Sequence, residues 1–298
     1  MMMHAIVWLK GLRLPLYWAS GAPILLSLAL ALGSSSLTRP VLWAAGAAAL
    51  LIFEVGVNIV AEIADRSEGV FVTQREGWLP TGPYLIEETG ISNEKMERYA
   101  ALSFAVSGLI GLYLAFVTGF VVILLTGVAG LALTLIYAAP PLMLGLRGLG
   151  EPVPFLAFGP LPGFALYFLA TGAISAEAVL LMLPTAFWIT AVRFAHHLPD
   201  RSMRRGARFE GTHRLRVKYS LQLLTAFVLL AIASIAVMLP VSGPYTLLPV
   251  AAAAPFTWAA LRSSRRAAGN AVSVSRGTKY YVALQIAGSV AMAVALIL

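Results

Sequence analysis

The sequence predicts an all-α membrane protein, and three observations carry that reading. Of the 298 residues, 59% are hydrophobic and only 11% charged, where a soluble domain carries about a quarter charged. Nine apolar stretches approach or reach the roughly 20 residues that a helix needs to cross a bilayer. Those stretches are apolar all round, without the alternation of the roughly ten-residue strands of a membrane β-barrel. The aliphatic content excludes a disordered chain. A cysteine count of zero removes disulfides, thiolate metal sites and cysteine nucleophiles together.

In chain order the predicted spans are 14–32, 41–63, 99–117, 119–138, 154–173, 177–198, 217–240, 246–262 and 278–298. The first follows Lys10 and Arg13 in the manner of a secretory signal, but eight further spans in the same style make it helix one of a bundle. Glycines and prolines inside the spans are of the kind that membrane helices tolerate. With nine spans, every one of the 21 Lys and Arg residues except Arg39 falls on the side of the N-terminus and of the loops after helices two, four, six and eight. Basic residues stay cytoplasmic, so the N-terminus is expected inside and the C-terminus outside. The net charge of +8 is then a topological signal directed at the lipid bilayer, and nucleic acid is not an expected partner. The chain reads as a single integral-membrane domain, 1–298, in a prokaryotic cytoplasmic membrane. Its chemistry is expected on the cytoplasmic side, because the opposite loops are short and nearly uncharged.

Two polar stripes run into the membrane at that side. Glu54, Asn58, Glu62 and Asp65, spaced by four, four and three, share one face of helix two. Arg193, His197, Asp200 and Arg204, spaced by four, three and four, share a face of helix six if the helix continues through Pro199. Both stripes end an even-numbered span four helices apart, as a pseudo-repeat of helices 1–4 and 5–8 would place them. Intramembrane ionisable groups are costly and face a bundle interior, a cavity or a partner. Magnesium is held by one or two carboxylates together with substrate phosphates, and arginine forks match phosphate oxygens. A carboxylate stripe facing an arginine-bearing one therefore fits a clamp for a diphosphate, with an apolar bundle for a hydrocarbon tail. Glu54 with Arg193 reads equally well as a structural ion pair, and Asn58 as a bridge between helices. The adjacent His196 and His197 lack the spacing of a transition-metal site.

These motifs resemble the UbiA superfamily of intramembrane aromatic prenyltransferases, and most of all its 1,4-dihydroxy-2-naphthoate polyprenyltransferase branch in the menaquinone pathway. Asn58, Ala61-Glu62, Asp65 and Gly69 stand at the places of that branch's first acidic motif. Arg75, Gly82-Pro83 and Gly90-Ile91-Ser92 follow in similar order. The stretch from Tyr137 to Gly172, with its Arg147-Gly148-Leu149-Gly150-Glu151 block and Phe158-Gly159-Pro160, carries the most specific similarity, and HHLPD with Asp200 resembles the second acidic motif. Four departures stand out: Glu62 for an Asp, Ala61 for an Asn, His196-His197 in the second motif, and Arg204 at the place of that motif's second Asp. The last leaves open whether one magnesium or two are held.

The resemblance implies a nine-helix UbiA-like bundle and a Mg2+-dependent enzyme that moves an isoprenyl group from a prenyl diphosphate to an aromatic acceptor, a dihydroxynaphthoate or related quinone precursor. Glu62, Asp65 and Asp200 are the expected metal ligands, with Asn58 assisting them in catalysis. Arg75, Arg147, Arg201 and Arg204 are the expected diphosphate partners. Glu54, Tyr137, Arg193, His196 and His197 are expected near the acceptor or behind the ligands. Two rival readings stay open: prenylation of another aromatic or intramembrane terpene cyclisation, and a lapsed relative that binds or moves an isoprenoid or quinone.

Overall fold

The computed structural model describes residues 2–67, 69, 80, 82–119, 121–138, 142, 144, 150–203, 217–266 and 277–298, and only the backbone at 2–5, 138, 197–203, 217, 218 and 220. Among these the regular structure is all helical, with no strand. The elements are α1 (Met2–Gly11), α2 (Trp18–Gly33), α3 (Pro40–Ser67), α4 (Tyr84–Thr89), α5 (Asn93–Thr118), α6 (Val121–Ala138), α7 (Pro152–Ala157), α8 (Pro160–Thr171), α9 (Ala176–Leu180), α10 (Leu183–Met203), α11 (Val217–Ser234), α12 (Leu239–Ser242), α13 (Leu247–Arg266) and α14 (Thr278–Ile297). Seven stretches of the described residues are long and apolar enough to cross a membrane, and the protein is an integral membrane protein. One of the seven, Leu221–Arg266, is 46 residues long. As one straight helix it would span about 69 Å, twice the hydrocarbon core. The chain breaks it with 3-10 turns at Ile235–Met238 and Gly243–Thr246 on either side of α12. Val121–Tyr137 is apolar but shorter.

Local chemistry sets the helix ends. α3 opens on Pro40, whose missing N–H costs nothing at a first turn. At α5 the Ser92 side chain accepts from Lys95 N at 3.4 Å, and Gly119 closes the helix at φ 98°, the left-handed conformation that glycine adopts without a steric penalty. The fifth predicted span is two helices. Gly159 separates α7 from α8 with φ −126° and ψ −101°, and a Cβ there would lie 2.4 Å from Ala186 Cβ. Close approach to α10 selects glycine at this break. α10 itself stays helical through Pro199 to Met203, so residues 193, 197 and 200 share a face as their spacing predicts. α1 has no counterpart among the predicted spans. It packs on α4, with Gly11 against Leu85.

α10 is the central helix. Trp188, Ile189, Ala191, Val192 and Ala195 are fully buried in a cluster with α2, α11 and α14. α5 and α6 lie at the periphery and expose Leu102, Leu109, Phe116, Leu125 and Leu135, as a lipid-facing wall does. α2 and α14 approach backbone to backbone, since a Cβ on Gly33 would stand 1.8 Å from the Leu296 carbonyl oxygen. No rotamer relieves a backbone clash. Gly33→Ala is therefore expected to destabilise the bundle by about 1–3 kcal/mol, measured by thermal unfolding in detergent. Gly111→Ala, whose Cβ meets nothing within 4 Å, serves as the control and leaves the midpoint unchanged.

Candidate functional site

The polar stripe of α3 is buried along its whole length: Glu54, Asn58 and Glu62 are each 1% exposed and Asp65 5%. A buried carboxylate needs a cation or donors, and the lower half of the stripe has both. Arg13, itself 1% exposed, enters from the joint between α1 and the 3-10 turn Leu14–Tyr17 that leads into α2. Its Nη2 lies 3.5 Å from Glu62 Oε1 and 3.2 Å from Asp65 Oδ2, and donates to the Gly82 carbonyl at 2.9 Å. The other oxygen of Glu62 accepts the backbone N–H of Leu85 at 2.8 Å and of Ile86 at 3.4 Å. These are orphan donors of the first turn of α4. Asn58 Nδ2 donates to the Leu12 carbonyl at 3.3 Å. The acids thus tie the N-terminal segment, α3 and α4 into one bracket. Arg13 holds φ 57°, a left-handed conformation costly for a side-chain-bearing residue, and this bracket keeps it there.

Sequence reasoning gave Arg13 only a topological role. Its partners lie 49 to 69 residues away, so no local spacing reveals it. The one available signal is an arginine standing directly at the start of an apolar span.

The upper half of the stripe faces elsewhere. Glu54 Oε1 and Arg193 Nη2 are 3.8 Å apart, and the Arg193 guanidinium lies 4.9 Å from the centre of the Phe158 ring, within cation–π range. The pair looks into a cavity of about 490 Å3, which Ala61, Phe53, Phe104 and Tyr137 also line. The structure therefore brings Glu54, Arg193 and Tyr137 together, as grouped in the sequence. Glu62 and Asp65 do not line this cavity. His196 is buried in the α10 core at 1% exposure. Arg75, Arg147 and Arg204, and the side chains of His197, Asp200 and Arg201, lie outside the described residues.

Among the described residues no three His, Asp or Glu side chains gather into a metal site. The chemistry of Glu62 and Asp65 nevertheless suits a hard cation. Both carboxylates face one point, and a guanidinium stands at it as the resident positive charge. Oxygen donors of this kind fit magnesium.

The UbiA prenyltransferase family model matches residues 20–279, most of the chain. Among solved structures, the chain is similar to one described under "Structural and mechanistic insights into the biosynthesis of Digeranylgeranylglyceryl phosphate synthase in membranes". The TM-score is 0.60 and the identity 16%, over 99% of both chains; at that identity the likeness concerns the fold. No curated protein matches by sequence. With its helical membrane bundle and the match over 20–279, this chain belongs to the UbiA prenyltransferase family and is a prenyltransferase.

Proposed function

We propose that the enzyme carries out Mg2+-dependent transfer of an isoprenyl group from a prenyl diphosphate to an aromatic acceptor, 1,4-dihydroxy-2-naphthoate or a related quinone precursor. It does so as one domain over 1–298 with nine spans. Both arms of Leu221–Arg266 cross, as does Val121–Tyr137, and the N-terminus and the site lie on the cytoplasmic side. One observation carries the reading. A buried pair of carboxylates, Glu62 and Asp65, converges on the Arg13 guanidinium at the end of the bundle, beside an apolar chamber that Ala61 of the same helix lines.

In this reading Glu62, Asp65 and Asp200 would hold a magnesium ion, with Asn58 assisting, and the ion would supply positive charge toward the diphosphate. Arg75, Arg147, Arg201 and Arg204 bind the phosphate oxygens through their forks. The walls of the cavity take the hydrocarbon tail and exclude water from the allylic cation that forms. Glu54, Tyr137, Arg193, His196 and His197 orient the acceptor or support the ligands from behind. The test is a membrane assay with prenyl diphosphate, Mg2+ and dihydroxynaphthoate. Prenylated naphthoate is expected, and its absence overturns the acceptor assignment. A cyclic hydrocarbon or alcohol formed from diphosphate alone identifies a cyclase instead.

A further inference from the structure

The end of the bundle where α13 finishes and α14 begins carries cations that the site beside α3 does not use. No Asp or Glu follows Glu210 in the sequence, whereas eight Lys and Arg do. Four of these, Arg262, Arg265, Arg266 and Lys279, are exposed. None of the four makes an ion pair among the described residues. The Ser264 hydroxyl and the Tyr281 phenol lie 2.8 Å apart and pin α13 to α14 at this level. Arg266 stands two residues beyond the pin on α13 and Lys279 two residues before it on α14, each about 3 Å along its axis. All four cations therefore share one end of one helix pair.

Topology and helix electrostatics account for only part of this. Basic residues fix the inner side of a membrane protein, but acids contribute little to that choice, so topology leaves the lack of carboxylates unexplained. The α4–α5 end is mixed by contrast, with Glu87, Glu88, Glu94 and Glu97 set among Lys95 and Arg98, and Arg98 paired with Glu94. The helix dipole favours cations in the last turn of α13, where Arg265 and Arg266 sit. At the first turn of α14 it favours an acid, yet that turn has none and carries Lys279.

Below the cations, both helices present faces suited to acyl chains. On α13 the exposed residues Ala254, Trp258, Arg262 and Arg265 follow one another at spacings of four, four and three, which is one helical face. On α14 Lys279 heads an exposed face that continues through Ile286, Val290 and Val294. None of these residues lines the cavity beside α3. Trp258 is 62% exposed, and the Arg262 guanidinium lies 4.6 Å from its ring centre. An aromatic ring at headgroup depth with a cation over it is how a membrane helix meets the interface.

We propose that this end is a binding surface for an anionic phospholipid of the surrounding bilayer. Arg262, Arg265, Arg266 and Lys279 hold the headgroup phosphate, and the acyl chains lie along the Trp258 and Ile286 faces. Guanidinium forks take phosphate oxygens in pairs, and cations clustered at a membrane surface attract anionic lipid cumulatively. Neither helix contains a carboxylate side chain to repel the headgroup.

Native mass spectrometry of the full-length protein, released from detergent and titrated with dioleoyl phosphatidylglycerol or dioleoyl phosphatidylcholine, tests this. Wild type is expected to bind the anionic lipid at least about tenfold tighter than the zwitterionic one. Arg262→Gln/Arg265→Gln/Arg266→Gln/Lys279→Gln brings the two lipids within about threefold of each other. The replaced side chains are exposed, and surface substitutions of this kind leave the fold in place. Arg262→Lys/Arg265→Lys/Arg266→Lys keeps the charge and retains most of the preference. Lys95→Gln/Arg98→Gln, at the acid-rich α4–α5 end, leaves the preference within about twofold of wild type. Glycerol phosphate, the anion without chains, does not displace phosphatidylglycerol at equal concentration. Equal binding of the two lipids by wild type, or a preference that survives the four Gln substitutions, overturns the proposal. So does a preference lost equally in the Lys variant or in Lys95→Gln/Arg98→Gln. Displacement by glycerol phosphate assigns this end to a soluble anion and overturns the lipid assignment. The measurement contains no prenyl diphosphate, so its failure and a failure of prenyl transfer are read apart.

Discussion

Glu62→Ala/Asp65→Ala is expected to lower turnover of prenyl diphosphate by at least about 10³-fold, the loss typical when groups that stabilise a transition state's developing charge are removed. The expectation follows from position. Both carboxylates are buried on one face of α3, both point at one cation, and together they are the strongest negative feature of the described site. The single variant Glu62→Asp should cost less, because it keeps the charge on a shorter arm. It should still weaken α4, since Glu62 also accepts the backbone N–H groups of Leu85 and Ile86. A steady-state assay in membranes separates these effects. Loss of kcat with retained thermal stability places the double variant's defect in the chemistry, whereas loss of both would place it in folding of the bracket.

Arg13→Met carries the second large effect, and here it falls on stability. Removing one partner from a buried charge cluster costs about 3–5 kcal/mol, because Glu62 and Asp65 then lose the Arg13 guanidinium that lies between them. Thermal unfolding in detergent should show this loss. The same experiment with millimolar Mg2+ should return part of it, since an ion that binds the folded state and not the unfolded one stabilises by mass action. In wild type, where Arg13 already supplies the charge, the same Mg2+ should raise the midpoint less. An Arg13→Met protein indifferent to Mg2+ would show that the acid pair accepts only its own arginine.

How much of this was legible in the sequence depends on the range of the interaction involved. The helical membrane class and seven apolar stretches long enough to cross were legible because crossing a bilayer needs a long run of apolar residues, and such runs are local. The stripe Glu54, Asn58, Glu62 and Asp65 was legible because helical periodicity is local too, and the structure buries all four. The continuity of α10 through Pro199 preserved the register of 193, 197 and 200. The breaks were harder. Gly159 interrupts the fifth span because Ala186 packs against it, a tertiary contact that no window of residues contains. The same holds for Arg13. Its side chain crosses from the first helical joint to acids about 50 positions on, and only the packing of α1 against α4 puts it there. The division of the stripe was equally hidden, with Glu54 turned toward the cavity and Glu62 toward α4, because periodicity shows that residues share a face without showing what covers it. The arginines of the phosphate clamp, Arg75, Arg147 and Arg204, stay expectations from sequence resemblance, outside the described residues.

The central claim is that Glu62 and Asp65 grip a cation that grips diphosphate. Calorimetric titration of the full-length protein with a non-hydrolysable prenyl thiodiphosphate, with and without Mg2+, tests it most directly. Binding that strengthens at least about tenfold on adding Mg2+, and loses that gain in Glu62→Ala/Asp65→Ala, is the predicted result. Tight binding that ignores Mg2+ and survives the double substitution would contradict it.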